Sequence, residues 1–164
     1  MNDQTPGAIL VGVSQLKNQL PRISKRAEAV FAVWRALPGA GTQPGAGFGS
    51  FRPERLGSEM RHVFLLELRD PSQPWQFRLL GEGVRSALRA RSGIDVDQSA
   101  LAQRGMQAIM ACQDAQPRLV QGIVIGVDGR DVTGDLLLLP FLRRPCAFQG
   151  QPNQLLGHLP LRIR

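Results

Sequence analysis

The pair Asp128-Gly129 stands between two long strand-forming runs, Arg118 to Val127 and Val132 to Leu142, and constrains the fold more than any other feature. Asp-Gly supplies the positive φ angles that a two-residue hairpin turn needs, so the two runs lie side by side and antiparallel. A second pair of runs, His62 to Leu68 and Trp75 to Leu80, flanks the turn Asp70-Pro-Ser-Gln-Pro74 and reads as another hairpin. Parallel strands need crossovers of roughly a dozen residues, which neither turn provides. A last run, Gln154 to Ile163, follows the turn Gly150 to Asn153 and closes the set.

Helical periodicity appears in front of the first hairpin and again between the hairpins. Ala27, Val30, Phe31, Trp34 and Leu37 recur at the spacing of one helix face, with Ser24 placed as an N-cap and Pro38-Gly39 as the stop. Residues 38 to 50 hold five glycines and two prolines and form a connection. Its glycines follow a helix, whereas a dinucleotide fingerprint must follow a strand and open a helix. Phe51, Pro53, Leu56 and Met60 suggest a short helix leading into the first strand. After Gly81, Val84, Ala87 and Leu88 suggest another, and Leu101, Met106, Ile109 and Met110 mark one starting near Asp97 or Ser99. The expected fold is α+β: a five-stranded antiparallel sheet, helices on one face, and an N-terminal helix. Residues 1–23, punctuated by Pro6, Gly7, Gly12 and Pro21, read as an arm, and 24–164 as one domain.

Several function classes are disfavoured by composition. The longest apolar stretches, such as Leu136 to Leu142, are too short to span a bilayer, and the start lacks the pattern of a secretory signal, so a cytoplasmic location is expected. Two cysteines, Cys112 and Cys146, imply no disulfide framework. The net charge of +7, nearly all of it arginine, is spread along the chain rather than concentrated locally, and that spread argues against nucleic acid as the partner. The alternative, a polyanion-binding accessory protein, would use Arg85, Arg89 and Arg91 with the pair Arg143-Arg144.

Certain strings, taken in order, carry a resemblance. They are Trp34 in the first helix, Phe51-Arg-Pro53, Val63-Phe-Leu-Leu-Glu67, Phe77-Arg-Leu-Leu-Gly81, Leu137-Leu-Leu-Pro140 and Leu156-Gly157. Over residues 27 to 160 the chain resembles a PAS-like family of small proteobacterial proteins (PAS_5). Glu82 stands where that family commonly has Thr, and its Gly-x-Asp-x-x-Gly stretch survives only as Gly93-Ile-Asp95. The resemblance implies a sheet cupping a small pocket, a leading helix available for dimer contacts, and a non-enzymatic sensing or protein-interaction role in bacterial signalling.

Residues expected to line an apolar pocket between sheet and helices are Phe64, Leu66, Phe77, Leu79, Val84, Leu88, Met106 and Met110. Such a pocket takes a small apolar ligand; no cofactor is specified. Val30, Phe31 and Trp34 form an apolar face that needs a cover, so residues 24 to 37 are expected to mediate a homodimer or to meet a signalling partner. Strict alternation turns Arg78 away from Phe77 and Leu79, where it either pairs with Glu67 or joins an interaction surface. The two histidines, His62 and His158, read as surface or strand-edge residues, and with two scattered cysteines they make no zinc site. Asp95 with Asp97, and Asp128 with Asp131, read as turn and cap residues rather than an acid–base pair. No nucleophile elbow or other catalytic constellation is recognisable.

Overall fold

The computed structural model describes residues 10–11, 23–40, 48–70, 72–89, 93, 117–141 and 153–163. In chain order the elements are β1 (Leu10–Val11), α1 (Lys25–Arg35), 3-10 turns over Phe48–Ser50 and Pro53–His62, β2 (Val63–Glu67), β3 (Gln76–Leu80), α2 (Glu82–Leu88), β4 (Arg118–Val127), β5 (Arg130–Phe141), β6 (Gln154–His158) and β7 (Arg162–Ile163). The architecture is mixed α+β around one antiparallel sheet, ordered β1-β4-β5-β6-β2-β3, with β7 paired to β5. The five strands expected from sequence are β2 to β6, and they read across the sheet as second, first, fifth, fourth and third. The β4–β5 hairpin turns at Asp128 (φ 49°) and Gly129 (φ 75°), both in the left-handed region such a turn requires.

Two short strands extend this core. Leu10 and Val11, in the expected arm, pair with Val120 and Leu119. The expected closing run Gln154 to Ile163 is interrupted around Pro160, which has no N–H to give to a ladder. Its two parts, β6 and β7, nevertheless pair with β5 in one continuous register, from Phe141↔Gln154 to Val132↔Ile163.

The sheet is covered on both faces. On one, Phe64, Leu66, Phe77, Leu136, Leu138 and Leu155 pack with Val84 and Leu88 of α2. On the other, Val63, Leu119, Leu137, Leu139, Phe141 and Leu156 pack against Ala27, Val30, Phe31 and Trp34 of α1. α1 begins as expected, with the Ser24 hydroxyl accepting the Ala27 N–H at 3.1 Å. It is pinned to the sheet where the Trp34 indole N–H donates to the Pro140 carbonyl at 3.0 Å. Pro140 lies beyond Leu138, the last β5 residue paired with β4.

This packing corrects the expected dimer face. Val30, Phe31 and Trp34 are 1%, 3% and 1% exposed, so the chain's own sheet, not a second copy, covers them. Each such side chain contributes about 1.5–3 kcal/mol by leaving water, a gain already realised within the monomer. The outward face of α1 carries Lys25, Arg26, Glu28, Ala29 and Ala32.

Candidate functional site

Five of the eight residues expected to line an apolar pocket lie together between sheet and helix. Phe64, Leu66, Phe77 and Val84 are each 0% exposed and Leu88 is 4% exposed, and all five belong to one packed cluster. Phe64 and Phe77 meet edge to face at 5.6 Å between ring centres. Leu79 leaves this group altogether, at 59% exposure. The cause is a β-bulge: Leu65 pairs with Leu79 and Leu66 with Phe77, leaving Arg78 as the extra residue of β3. Past the bulge the alternation resets, so Leu80 turns inward and Leu79 outward. Met106 and Met110 lie outside the described residues, as do Cys112, Cys146, Arg91, Arg143 and Arg144.

Two polar clusters mark opposite ends of the sheet face under α1. At one end the buried Glu67 carboxylate receives the Gln154 amide at 3.1 Å, with Arg69 at 3.4 Å and Arg78 at 3.7 Å. Arg78 thus takes the cross-strand pairing rather than standing free. At the other end, His158 is fully buried, which corrects its reading as a surface or edge residue. Its Nε2 lies 2.7 Å from Glu59 Oε2, and Arg26 Nε lies 2.8 Å from Glu59 Oε1. Burial pushes the Glu59 carboxyl up, but hydrogen bonds from Arg26 and His158 outweigh it and hold the pKa below 4.5. An ionised carboxylate only accepts, so His158 Nε2 carries the hydrogen. The other ring nitrogen, Nδ1, is buried without a partner. A proton there would be both desolvated and unbonded, and burial accordingly drives the His158 pKa below 6.5 despite Glu59. The first cluster ties β2, β3 and β6 to one another, and the second fastens α1 and the segment before β2 to the sheet.

A groove of about 460 Å³ opens on the far side of α2, between that helix, the Asp128-Gly129 hairpin tip and β7. Two glycines allow its first wall. A Cβ on Gly81 would sit 2.6 Å from the Arg61 carbonyl oxygen, and one on Gly83 would sit 2.9 Å from it, so only glycine lets the residues before β2 lie against the start of α2. That approach brings Arg61 and His62 into the groove with Glu82 and Ser86. Burial, with the positive charge of Arg26, lowers the His62 pKa below 6.5 and favours the neutral ring. Arg89 follows α2 in the left-handed conformation (φ 50°, ψ 32°) and reaches Asp128 at 2.6 Å, tying the helix end to the hairpin. Arg130 and Arg162 supply the opposite wall, over a floor that includes Val132 and Leu161.

The arginine expected from sequence to take part in a basic surface, and which does line this groove, is Arg89; Arg85 on the same helix is not among the lining residues. Arg61, Arg130 and Arg162 were invisible as a set because they come from three separate segments. The one sequence signal for their meeting was the Asp128-Gly129 turn, which fixes one rim. Among the described residues, no group of three His, Cys, Asp or Glu side chains is arranged to hold a metal, and no helix is long and apolar enough to cross a membrane. The chain matches no protein-family model, no curated protein and no solved structure.

Proposed function

We propose that the chain is a PAS-like regulatory module of bacterial signalling that binds a small ligand and passes its occupancy to a protein partner, without chemistry of its own. The observation that carries this reading is the architecture: at the centre of one seven-stranded antiparallel sheet, two strands, a helix and three strands follow in order, with a leading helix on the opposite face. The resemblance in the strings around Trp34, Phe77 to Gly81 and Leu156-Gly157 leads to the same arrangement. The groove beside α2 is the ligand site in this reading, because its volume and its mixed arginine and apolar lining suit a small molecule.

Signalling works by population shift. A ligand spanning Arg61, α2 and the β4–β5 hairpin favours one packing of those elements, by as much as its affinity for that packing exceeds its affinity for others. Native mass spectrometry of the purified chain, followed by denaturation, tests the reading. One small molecule per chain, whose release lowers hydrogen-exchange protection in α2 and the hairpin, supports it. A bare polypeptide whose exchange is unchanged by any added metabolite pool refutes it.

A second reading, a polyanion-binding accessory protein, is favoured by the arginines of the same groove. It predicts oligonucleotide binding that weakens steeply with salt.

A further inference from the structure

We propose that the groove beside α2 binds a small organic dianion, a phosphate monoester or a dicarboxylate, through its arginines, while an apolar body of the same ligand rests against Leu161 and Ile163. The proposal rests on the reading of the protein as a ligand-binding module and names the chemistry of its ligand.

Four guanidinium groups and two carboxylates line the groove, leaving two positive charges in excess. Asp128 is engaged by Arg89 at 2.6 Å, so the excess of two falls to Arg61, Arg130 and Arg162 against Glu82 alone. Among the described residues, Arg61, Arg130 and Arg162 have no carboxylate within ion-pair distance. Three unpaired cations facing one concavity repel each other, and an anion that bridges them relieves the repulsion. Guanidinium forks match phosphate and carboxylate oxygens in pairs, so the preferred occupant has planar or tetrahedral oxyanion groups rather than a single point charge.

Backbone conformation supplies an independent observation. Arg89 occupies the left-handed position after α2 where glycine ordinarily stands. An arginine in that conformation carries a backbone cost that glycine would not, and its side chain bonds Asp128 at 2.6 Å, linking two walls of the groove. The floor indicates an apolar body on the ligand. The accessible apolar surface is supplied by Ile163, 71% exposed, and the half-buried Leu161, while Val132 is packed in the core beneath them. A volume of about 460 Å³ falls in the range of small-molecule sites.

The test is isothermal titration of the full chain with phenyl phosphate, phthalate and inorganic phosphate, at physiological salt and at a pH where the anions are fully charged. Saturable one-to-one binding is expected, with phenyl phosphate about tenfold tighter than inorganic phosphate because the ring adds apolar burial. The preference between phenyl phosphate and phthalate identifies the natural anion as phosphate ester or dicarboxylate. Arg130→Ser and Arg162→Ser, both at exposed positions, each weaken binding about tenfold while leaving the circular dichroism spectrum unchanged. The proposal is overturned by no saturation up to about 10 mM, by affinities unchanged in both variants, or by inorganic phosphate binding as tightly as phenyl phosphate. Tight, steeply salt-dependent oligonucleotide binding with none of the small anions bound would overturn it in favour of a polyanion site. A neutral molecule released from the native protein, with no anion binding, sinks this proposal but leaves the module reading intact.

Discussion

Gly157 lies at the centre of the sheet, paired with Phe64 on β2 and Leu138 on β5. The Phe64 ring rests directly over it, and a Cβ at position 157 would fall within that ring. Phe64 cannot swing away, because it is 0% exposed and is packed edge to face on Phe77. Gly157→Ala therefore either displaces the ring into a filled core or spreads β2 from β6. Overpacking of this kind costs about 1–3 kcal/mol, and the absence of free space here places the expected loss near 3 kcal/mol or above. That is a large part of the roughly 5–15 kcal/mol available to a domain. Removing the ring reverses the sign. Phe64→Ala alone costs about 3–5 kcal/mol, but in its presence Gly157→Ala has room and gains by restricting the unfolded chain, by up to about 1 kcal/mol. The assay is urea unfolding of the four members of this cycle, read by the fluorescence of the buried Trp34 and Trp75. A Gly157→Ala loss under about 1 kcal/mol, or an equal loss in both backgrounds, refutes the argument.

Three further perturbations test the packing around α1 and the sheet ends. His158 and His62 both have pKa values below 6.5 in the folded chain, so the unfolded chain binds more protons as the pH falls below 6.5. Stability should be fully present above that pH and decline below it, by at most about 1.4 kcal/mol per pH unit for the buried His158, with solvent screening shrinking the contribution of the partly exposed His62. Glu59, held below 4.5, adds a loss of the same sign at lower pH; urea midpoints that stay level or rise from pH 7.5 to 5.5 would contradict the assignment. Trp34→Phe removes the donor to the buried Pro140 carbonyl and should cost about 1–3 kcal/mol beyond the lost apolar area, measured by calorimetry. Ser24→Ala should cost about 1 kcal/mol by leaving the first turn of α1 uncapped, and a loss below about 0.3 kcal/mol would show that solvent satisfies the Ala27 N–H equally well.

The α1 cap at Ser24, its buried stripe from Ala27 to Trp34, the Asp128-Gly129 turn and the five central strands were all legible in the sequence. Each rests on an interaction between residues close in the chain, or on a periodicity that any neighbour would read alike. The pairing of Arg78 with Glu67 was legible for a similar reason, since one turn joins their strands. Leu79 was misread because a single extra residue at Arg78 exchanges the faces beyond it, and local alternation carries no sign of the bulge.

What covers an apolar face is decided in three dimensions. The sequence required a cover for Val30, Phe31 and Trp34; only the tertiary structure placed that cover in the same chain, as Leu137, Leu139 and Leu156. His158 looked like an edge residue until Glu59 and α1 closed over it, because burial depends on elements about a hundred residues distant. The groove is the extreme case. Arg61, Arg89, Arg130 and Arg162 are scattered among residues of both charges, and no window of sequence contains them all. They converge because β6 and β7 run along β5 in one register and because Gly81 and Gly83 admit the backbone of Arg61 against α2. The sequence by itself determined α1, α2 and the central strands, through propensity and period, though not β1 or the break between β6 and β7. The charge and shape of the surface they enclose were decided by the tertiary structure, because only long-range pairing sets which distant side chains become neighbours.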